Sequence, residues 1–129
     1  MAKIIFFTEK APSPIGAYSQ AVISGGVMYL SGQISLDPET GEFVKGGIEE
    51  ETDQILKNIK TIVKESGRGM RDVIKTTCYL SDMDDFDGFN KVYQDYFSTA
   101  PPARTTIQAA RLPAGVKIEI DAIVDMSDR

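Results

Sequence analysis

The 129 residues suffice for one hydrophobic core, since single domains run to roughly 100–200 residues, and positions 1–129 are read as one domain. With 42% hydrophobic and 26% charged residues the composition is that of an ordinary globular chain, which excludes disordered and collagen-like classes. Nineteen acidic against 14 basic side chains leave a formal charge of -5, a field that repels both nucleic acid and anionic membrane, so neither is expected as a partner.

The chain has no His and a single Cys, Cys78. Ser-His-Asp and Cys-His pairs, His/Cys zinc sites and internal disulfides therefore all lack the residues they need. Any acid or base must be Asp, Glu, Lys, Tyr, a substrate group or water. No apolar run approaches the roughly 18 residues of a spanning helix, and Ile4 to Phe7 is shorter than a signal-peptide core, which points to a cytoplasmic protein.

In chain order, Lys3 to Phe7 reads as a short edge strand, stopped by Pro12 and Pro14, which cannot donate to a ladder. Ala17 to Ser24 and Val27 to Ile34 flank Gly25-Gly26, a pair that tolerates the positive φ of a tight hairpin. Turn residues Asp37-Pro38-Glu39-Thr40-Gly41 open a surface strap that runs to Gly47. A helix over Ile48 to Ser66 places Ile48, Ile55, Leu56, Ile59, Ile62 and Val63 on one face, with acids in its first turn and Gly67 as its stop.

Val73 to Leu80 is a strand rich in β-branched residues. A second helix starts between Asp82 and Asp85 and carries Phe86, Phe89, Tyr93, Tyr96 and Phe97 on one face. Pro101-Pro102 ends that segment. Arg104 to Leu112 and Val116 to Val124 are the last strands, the latter alternating Val116, Ile118, Ile120, Ala122 and Val124 against Lys117, Glu119 and Asp121.

The order βββαβαββ predicts an α+β fold, a six-stranded mixed sheet with two helices on one face, because strand-helix-strand units close as right-handed crossovers. The other sheet face would stay uncovered, and self-association is the expected way to bury it. From local pattern alone the last two strands form a hairpin around Leu112 to Gly115.

Several chemistry-bearing residues have plain structural readings. Cys78, with Ile74 and Leu80 on its side of the strand, reads as a small core residue rather than a reactive thiol. Ser66-Gly67-Arg68-Gly69 follows a helix instead of a strand and is no phosphate loop. Lys57, Lys60, Lys64 and Arg68 are interleaved with Asp53 and Glu65, as on a solvated helix face. Asp82, Asp84, Asp85 and Asp87 lack the pattern of a calcium loop and read as helix-start acids; no metal ligand set is identified.

Arg104 stands apart, because Pro101-Pro102 fix the backbone entering its strand and a rigidly held guanidinium suits a carboxylate. Period two puts Thr106 and Gln108 on its face. Glu119 and Asp121 on the less apolar face of the next strand offer a base, although from pattern alone all of these read first as ordinary exposed strand residues. In the simple hairpin, however, Arg104 and Glu119 lie about five residues out of register, roughly 17 Å apart, too far for one chain to join them.

Taken together, Ala11-Pro12, Ile15-Gly16-Ala17-Tyr18-Ser19-Gln20-Ala21, Leu30-Ser31-Gly32-Gln33-Ile34, Pro102-Ala103-Arg104 and Val116-Lys117-Ile118-Glu119-Ile120-Asp121-Ala122 make the chain resemble the RidA family, also called the YjgF family, over essentially its whole length. The resemblance implies a chorismate-mutase-like fold, a homotrimer with sheets inward, and ligand sites in the clefts between subunits. It implies that the final strand inserts antiparallel among parallel neighbours, against the local hairpin. Similar members hydrolyse 2-imino acids such as 2-iminopropanoate and 2-iminobutanoate to 2-oxo acids and ammonia, without a cofactor.

By the same resemblance Arg104 binds the substrate carboxylate, Glu119 positions the attacking water, and Tyr18 completes the catalytic set. Ser31, Gly32 and Asn90 line or support the cleft. Thr106 keeps a substrate-binding place where many bacterial members carry Cys, so no thiol step is open there. The alternatives are a regulatory protein that binds small carboxylates without turnover and, from some relatives, an endoribonuclease, against which the negative charge and the lack of His both count.

Overall fold

The structure, a computed structural model, describes residues 2–128. In chain order its elements are β1 (Ile4–Phe6), β2 (Ala21–Ser24), β3 (Val27–Gln33), α1 (Ile48–Glu65), β4 (Val73–Leu80), α2 (Phe86–Tyr96), β5 (Ala103–Gln108) and β6 (Ile118–Asp125). They build one mixed six-stranded sheet ordered β1-β2-β3-β6-β4-β5.

Both helices pack on the sheet face that carries Met28, Leu30, Cys78, Leu80, Ile118, Ile120 and Val124, forming one contiguous apolar core. From α1, Ile55, Leu56, Ile59 and Ile62 are fully buried, each worth roughly 1.5–3 kcal/mol over its exposed state. The opposite face, with half-exposed Tyr29 beside Ile123, Thr77, Tyr79 and Asp121, carries no helix. Among the described residues no helix is long and apolar enough to cross a membrane.

The Gly25-Gly26 turn forms as expected, with φ of 58° and 77°. The first arm of that hairpin is shorter than Ala17 to Ser24: pairing starts at Ala21. Residues 17–20 bend because the Gln20 side chain, only 2% exposed, takes over the bonding. Its amide donates to the Thr8 and Pro12 carbonyls and its oxygen accepts from Thr8 N at 2.9 Å. At α2, a 3-10 turn over Met83–Asp85 precedes the helix, with the Asp82 carboxylate capping Asp84 N, and Phe97 falls just past the last turn while remaining buried.

Two expectations are overturned. β5 and β6 do not pair: β6 inserts between β3 and β4, antiparallel to both, and β5 lies outside, parallel to β4. The reason is burial. Ile118, Ile120, Ala122 and Val124 need the covered centre of the sheet, whereas β5 exposes Ala103, Thr105 and Ile107 and suits an edge. The strands also shorten to Ala103–Gln108 and Ile118–Asp125, with a 3-10 turn at Pro113–Gly115 between them.

Ile74 does not share the side of Cys78. A register shift between Val73 and Lys75 opposite Val124 and Ile123 makes Ile74 the extra residue of a bulge, 47% exposed, while Val73 takes its place inside. Cys78 is fully buried as expected, and burial pushes its thiol up to about 12, far from thiolate character at neutral pH.

Candidate functional site

A second bulge builds one half of the site. Leu30 pairs with Ala122 and Gln33 with Ile120, so Ser31 and Gly32 together face the single residue Asp121. Ser31 Oγ donates to the Ser19 carbonyl at 2.6 Å and Ser31 N to the Gln20 carbonyl at 3.1 Å, which ties the Tyr18 segment to β3. Tyr18 is 51% exposed, and its hydroxyl accepts from Ile15 N at 3.1 Å.

Glu119 leaves β6 on the helix-free face and lies across the Gly32 backbone, where a Cβ on Gly32 would overlap its carboxylate. Glycine is required here for space rather than for backbone freedom. Ile15, Tyr18, Ser31, Gly32, Ile34, Phe43, Pro113, Ala114 and Glu119 enclose an open cleft of about 560 Å³. Among the described residues no hydrogen bond or ion pair engages the Glu119 carboxylate. Burial, and then the charge of Asp121 two residues on, raise its pKa above the ordinary value. Burial raises Asp121 as well, partly offset by hydrogen bonds from Tyr79 and Thr77; the Tyr79 hydroxyl donates at 3.3 Å.

The other half lies on the opposite sheet face, under α2. Arg104 enters there from β5, half-buried, and its Nη1 donates to Asn90 Oδ1 at 2.8 Å. Phe86, Phe89 and Tyr93 surround its guanidinium carbon, with ring centroids at 5.6, 5.3 and 4.7 Å. Among the described residues no carboxylate pairs with Arg104, and Asn90 is its one hydrogen-bond acceptor. Thr106, on the same face of β5, has a buried hydroxyl without a partner among the described residues. Gln108 also follows that face, its oxygen accepting from Met83 N at 2.8 Å.

Of the residues read from the sequence, Tyr18, Ser31, Gly32 and Glu119 thus gather in one cleft, and Arg104, Asn90 and Thr106 in another place. Arg104 stands opposite Thr76 of β4, and Glu119 opposite Tyr79. Three residues along β4 and two strand spacings across give a Cα separation of about 14 Å, with side chains on opposite faces. Sequence reasoning took the aromatic residues of α2 only as a core stripe and missed that three of them face Arg104. The sign was Asn90, a polar residue one turn on from Phe86 within that stripe. The apolar cleft wall of Ile15, Phe43 and Pro113 had no local signal, because strap, loop and turn meet only in the fold.

The fold and these half-sites define a chorismate-mutase-like α+β domain with, among the described residues, a guanidinium that no carboxylate pairs on one sheet face and a carboxylate without a hydrogen-bond or ion-pair partner on the other. Residues 8–126 match the family model described as endoribonuclease L-PSP, and the chain belongs to that family, the same RidA family its motifs resemble. A RutC family protein of Pyrococcus abyssi is 51% identical over 123 residues, covering 95% of this chain and 97% of its own. A 2-iminobutanoate/2-iminopropanoate deaminase of Rattus norvegicus is 48% identical over 119 residues, covering 92% and 87%. Among solved structures, E. coli TdcF with bound serine superposes with a TM-score of 0.91 at 38% identity, covering 96% of this chain and 99% of that one.

Proposed function

We propose that this chain hydrolyses reactive 2-imino acids such as 2-iminopropanoate and 2-iminobutanoate to 2-oxo acids and ammonia, in clefts between the subunits of a homotrimer. The observation that carries the reading is Arg104, a guanidinium held among rings and one amide with its remaining donors free of any carboxylate among the described residues. Such a group is built to receive an anion from outside. The mammalian deaminase supports the substrate class, and the serine in the E. coli relative supports a small α-carboxylate ligand.

In this mechanism Arg104 grips the carboxylate of a protonated imine, already a strong electrophile. Glu119 orients a water, takes its proton as oxygen attacks the imine carbon, and returns that proton to nitrogen. It then takes the remaining hydroxyl proton as the C–N bond breaks and the C=O bond forms, passing it to the departing ammonia, while Tyr18 lines the approach. The sum balances: iminium plus water gives oxo acid plus ammonium. A raised carboxylate pKa suits the proton-accepting step near neutrality. Because Arg104 and Glu119 stand on opposite faces of one sheet, Arg104 of one subunit serves Glu119 of the next, and packing three open sheet faces together buries Tyr29, Tyr79 and Ile107.

The alternative, a carboxylate-binding protein without turnover, needs Arg104 but has no use for Glu119. The test generates 2-iminobutanoate with a dehydratase and times its decay to the oxo acid. Acceleration by wild type, lost in Arg104→Ala, supports the proposal; the same decay with and without the protein overturns it.

A further inference from the structure

We infer that the aromatic face of α2 is the positioning device of the carboxylate clamp, with Tyr93 at its centre. This rests on the proposed reading of Arg104 and adds residues that reading does not use. A guanidinium carries its N–H donors in one plane, so aromatic contact over its face leaves the edge free for a carboxylate. Tyr93 comes nearest to the Arg104 guanidinium carbon, at 4.7 Å.

The cradle is itself braced. The Tyr93 hydroxyl and Thr76 Oγ1 lie 2.7 Å apart in the core, and Thr76 stands directly opposite Arg104 on β4, so one rung of the sheet sets both the arginine and its ring. Phe89 meets Tyr93 at 5.4 Å and Phe86 meets Phe89 at 5.9 Å, which locks the rings against one another. Asn90, on the same helix, fixes rotation within the plane through its bond to Nη1. A long side chain that would otherwise sample many rotamers is thereby ordered before any ligand arrives, and binding is spared that cost.

Phe97 supplies a matched control. It is buried in the same stack, 4.7 Å from the Tyr93 ring, and does not face Arg104. Tyr93→Leu is expected to raise both KM for 2-iminobutanoate and Kd for 2-oxobutanoate about fivefold to thirtyfold, with kcat within about threefold. Phe97→Leu should lower Tm comparably and leave both constants within about twofold. Tyr93→Phe restores the ring, should recover affinity, and still lowers Tm because Thr76 loses its partner. In ligand-free protein, the ring-current shift of the Arg104 Nε–Hε NMR signal should change in Tyr93→Leu and not in Phe97→Leu.

Should Tyr93→Leu fail to fold, Phe86→Leu, at a half-buried position, carries the same expected split. Equal effects of Tyr93→Leu and Phe97→Leu, or an unmoved Arg104 resonance, overturn the inference. If Arg104→Ala removes 2-oxobutanoate binding while the ring variants keep it, the positioning role fails and the clamp stands. If Arg104→Ala binds like wild type, the clamp itself fails.

Discussion

Gly32→Ala separates catalysis from stability more cleanly than removal of any charged group. The β3 backbone at Gly32 is not in the left-handed region, so alanine fits it and by itself would stabilise by about 0.4–1 kcal/mol through the unfolded chain. Its Cβ, however, would stand 2.9 Å from Glu119 Cδ and 3.1 Å from Cγ, with Oε2 closer still. Carbon pairs prefer about 3.5–4.0 Å and the Oε2 contact is tighter than either carbon contact, so the carboxyl group must move by about 1 Å or more. The strain of an off-rotamer side chain, about 0.5–1.5 kcal/mol, roughly offsets the entropic gain, and Tm should shift by only a few degrees. A reacting group displaced by about 1 Å loses on the order of a hundredfold in rate. Calorimetry, the coupled dehydratase assay and 2-oxobutanoate titration should therefore show near-native Tm, kcat down about a hundredfold, and Kd changed by less than about threefold. Turnover within about threefold of wild type in this variant would refute the placement of the reacting water at Glu119.

Arg104→Ala should lower kcat/KM about thirtyfold to several thousandfold, the equivalent of roughly 2–5 kcal/mol for a desolvated charge pair, and Arg104→Lys should restore little, since an ammonium cannot grip a carboxylate in two parallel bonds. The pH profile of kcat/KM should fall on the acid side with an apparent pKa above the ordinary 4.5, and Glu119→Gln should lose turnover at every pH while retaining 2-oxobutanoate binding. The sign for stability follows: a carboxyl with raised folded pKa favours folding while protonated and loses that contribution as pH rises through the folded value, so Glu119→Gln should raise Tm at pH 7 and show a smaller gain near pH 4. Activity should survive both EDTA and iodoacetamide, because Cys78 is buried with its thiol near 12 and Thr106 offers no sulfur; inactivation by either reagent would reveal a group missing from this scheme.

What was legible in the sequence follows the range of the interactions. The alternation of Ile118, Ile120, Ala122 and Val124 and the apolar face of α1 are local patterns, and each maps directly onto the buried side of its element. The Gly25-Gly26 turn was equally plain. The place of β6 was not, because turn residues between β5 and β6 argue for a hairpin while the choice between centre and edge depends on the burial of the whole sheet. Period two also fails wherever one residue is inserted, which is why Ile74 was placed on the wrong side of β4. For the site, motif resemblance singled out the residues, but the contact of Glu119 with Gly32 and the rings around Arg104 exist only once β3 meets β6 and β5 passes under α2.

The central claim, that Arg104 of one subunit works with Glu119 of another, is tested most directly by mixing two inactive chains. Arg104→Ala and Glu119→Gln are unfolded together in equal amounts, refolded, and assayed for 2-iminobutanoate hydrolysis against each variant refolded alone. In a cyclic trimer each shared cleft draws its two residues independently, so about one cleft in four recovers both, and the mixture should regain about a quarter of wild-type activity. A mixture that assembles normally yet stays as inactive as its parents would contradict the shared site and the mechanism built on it.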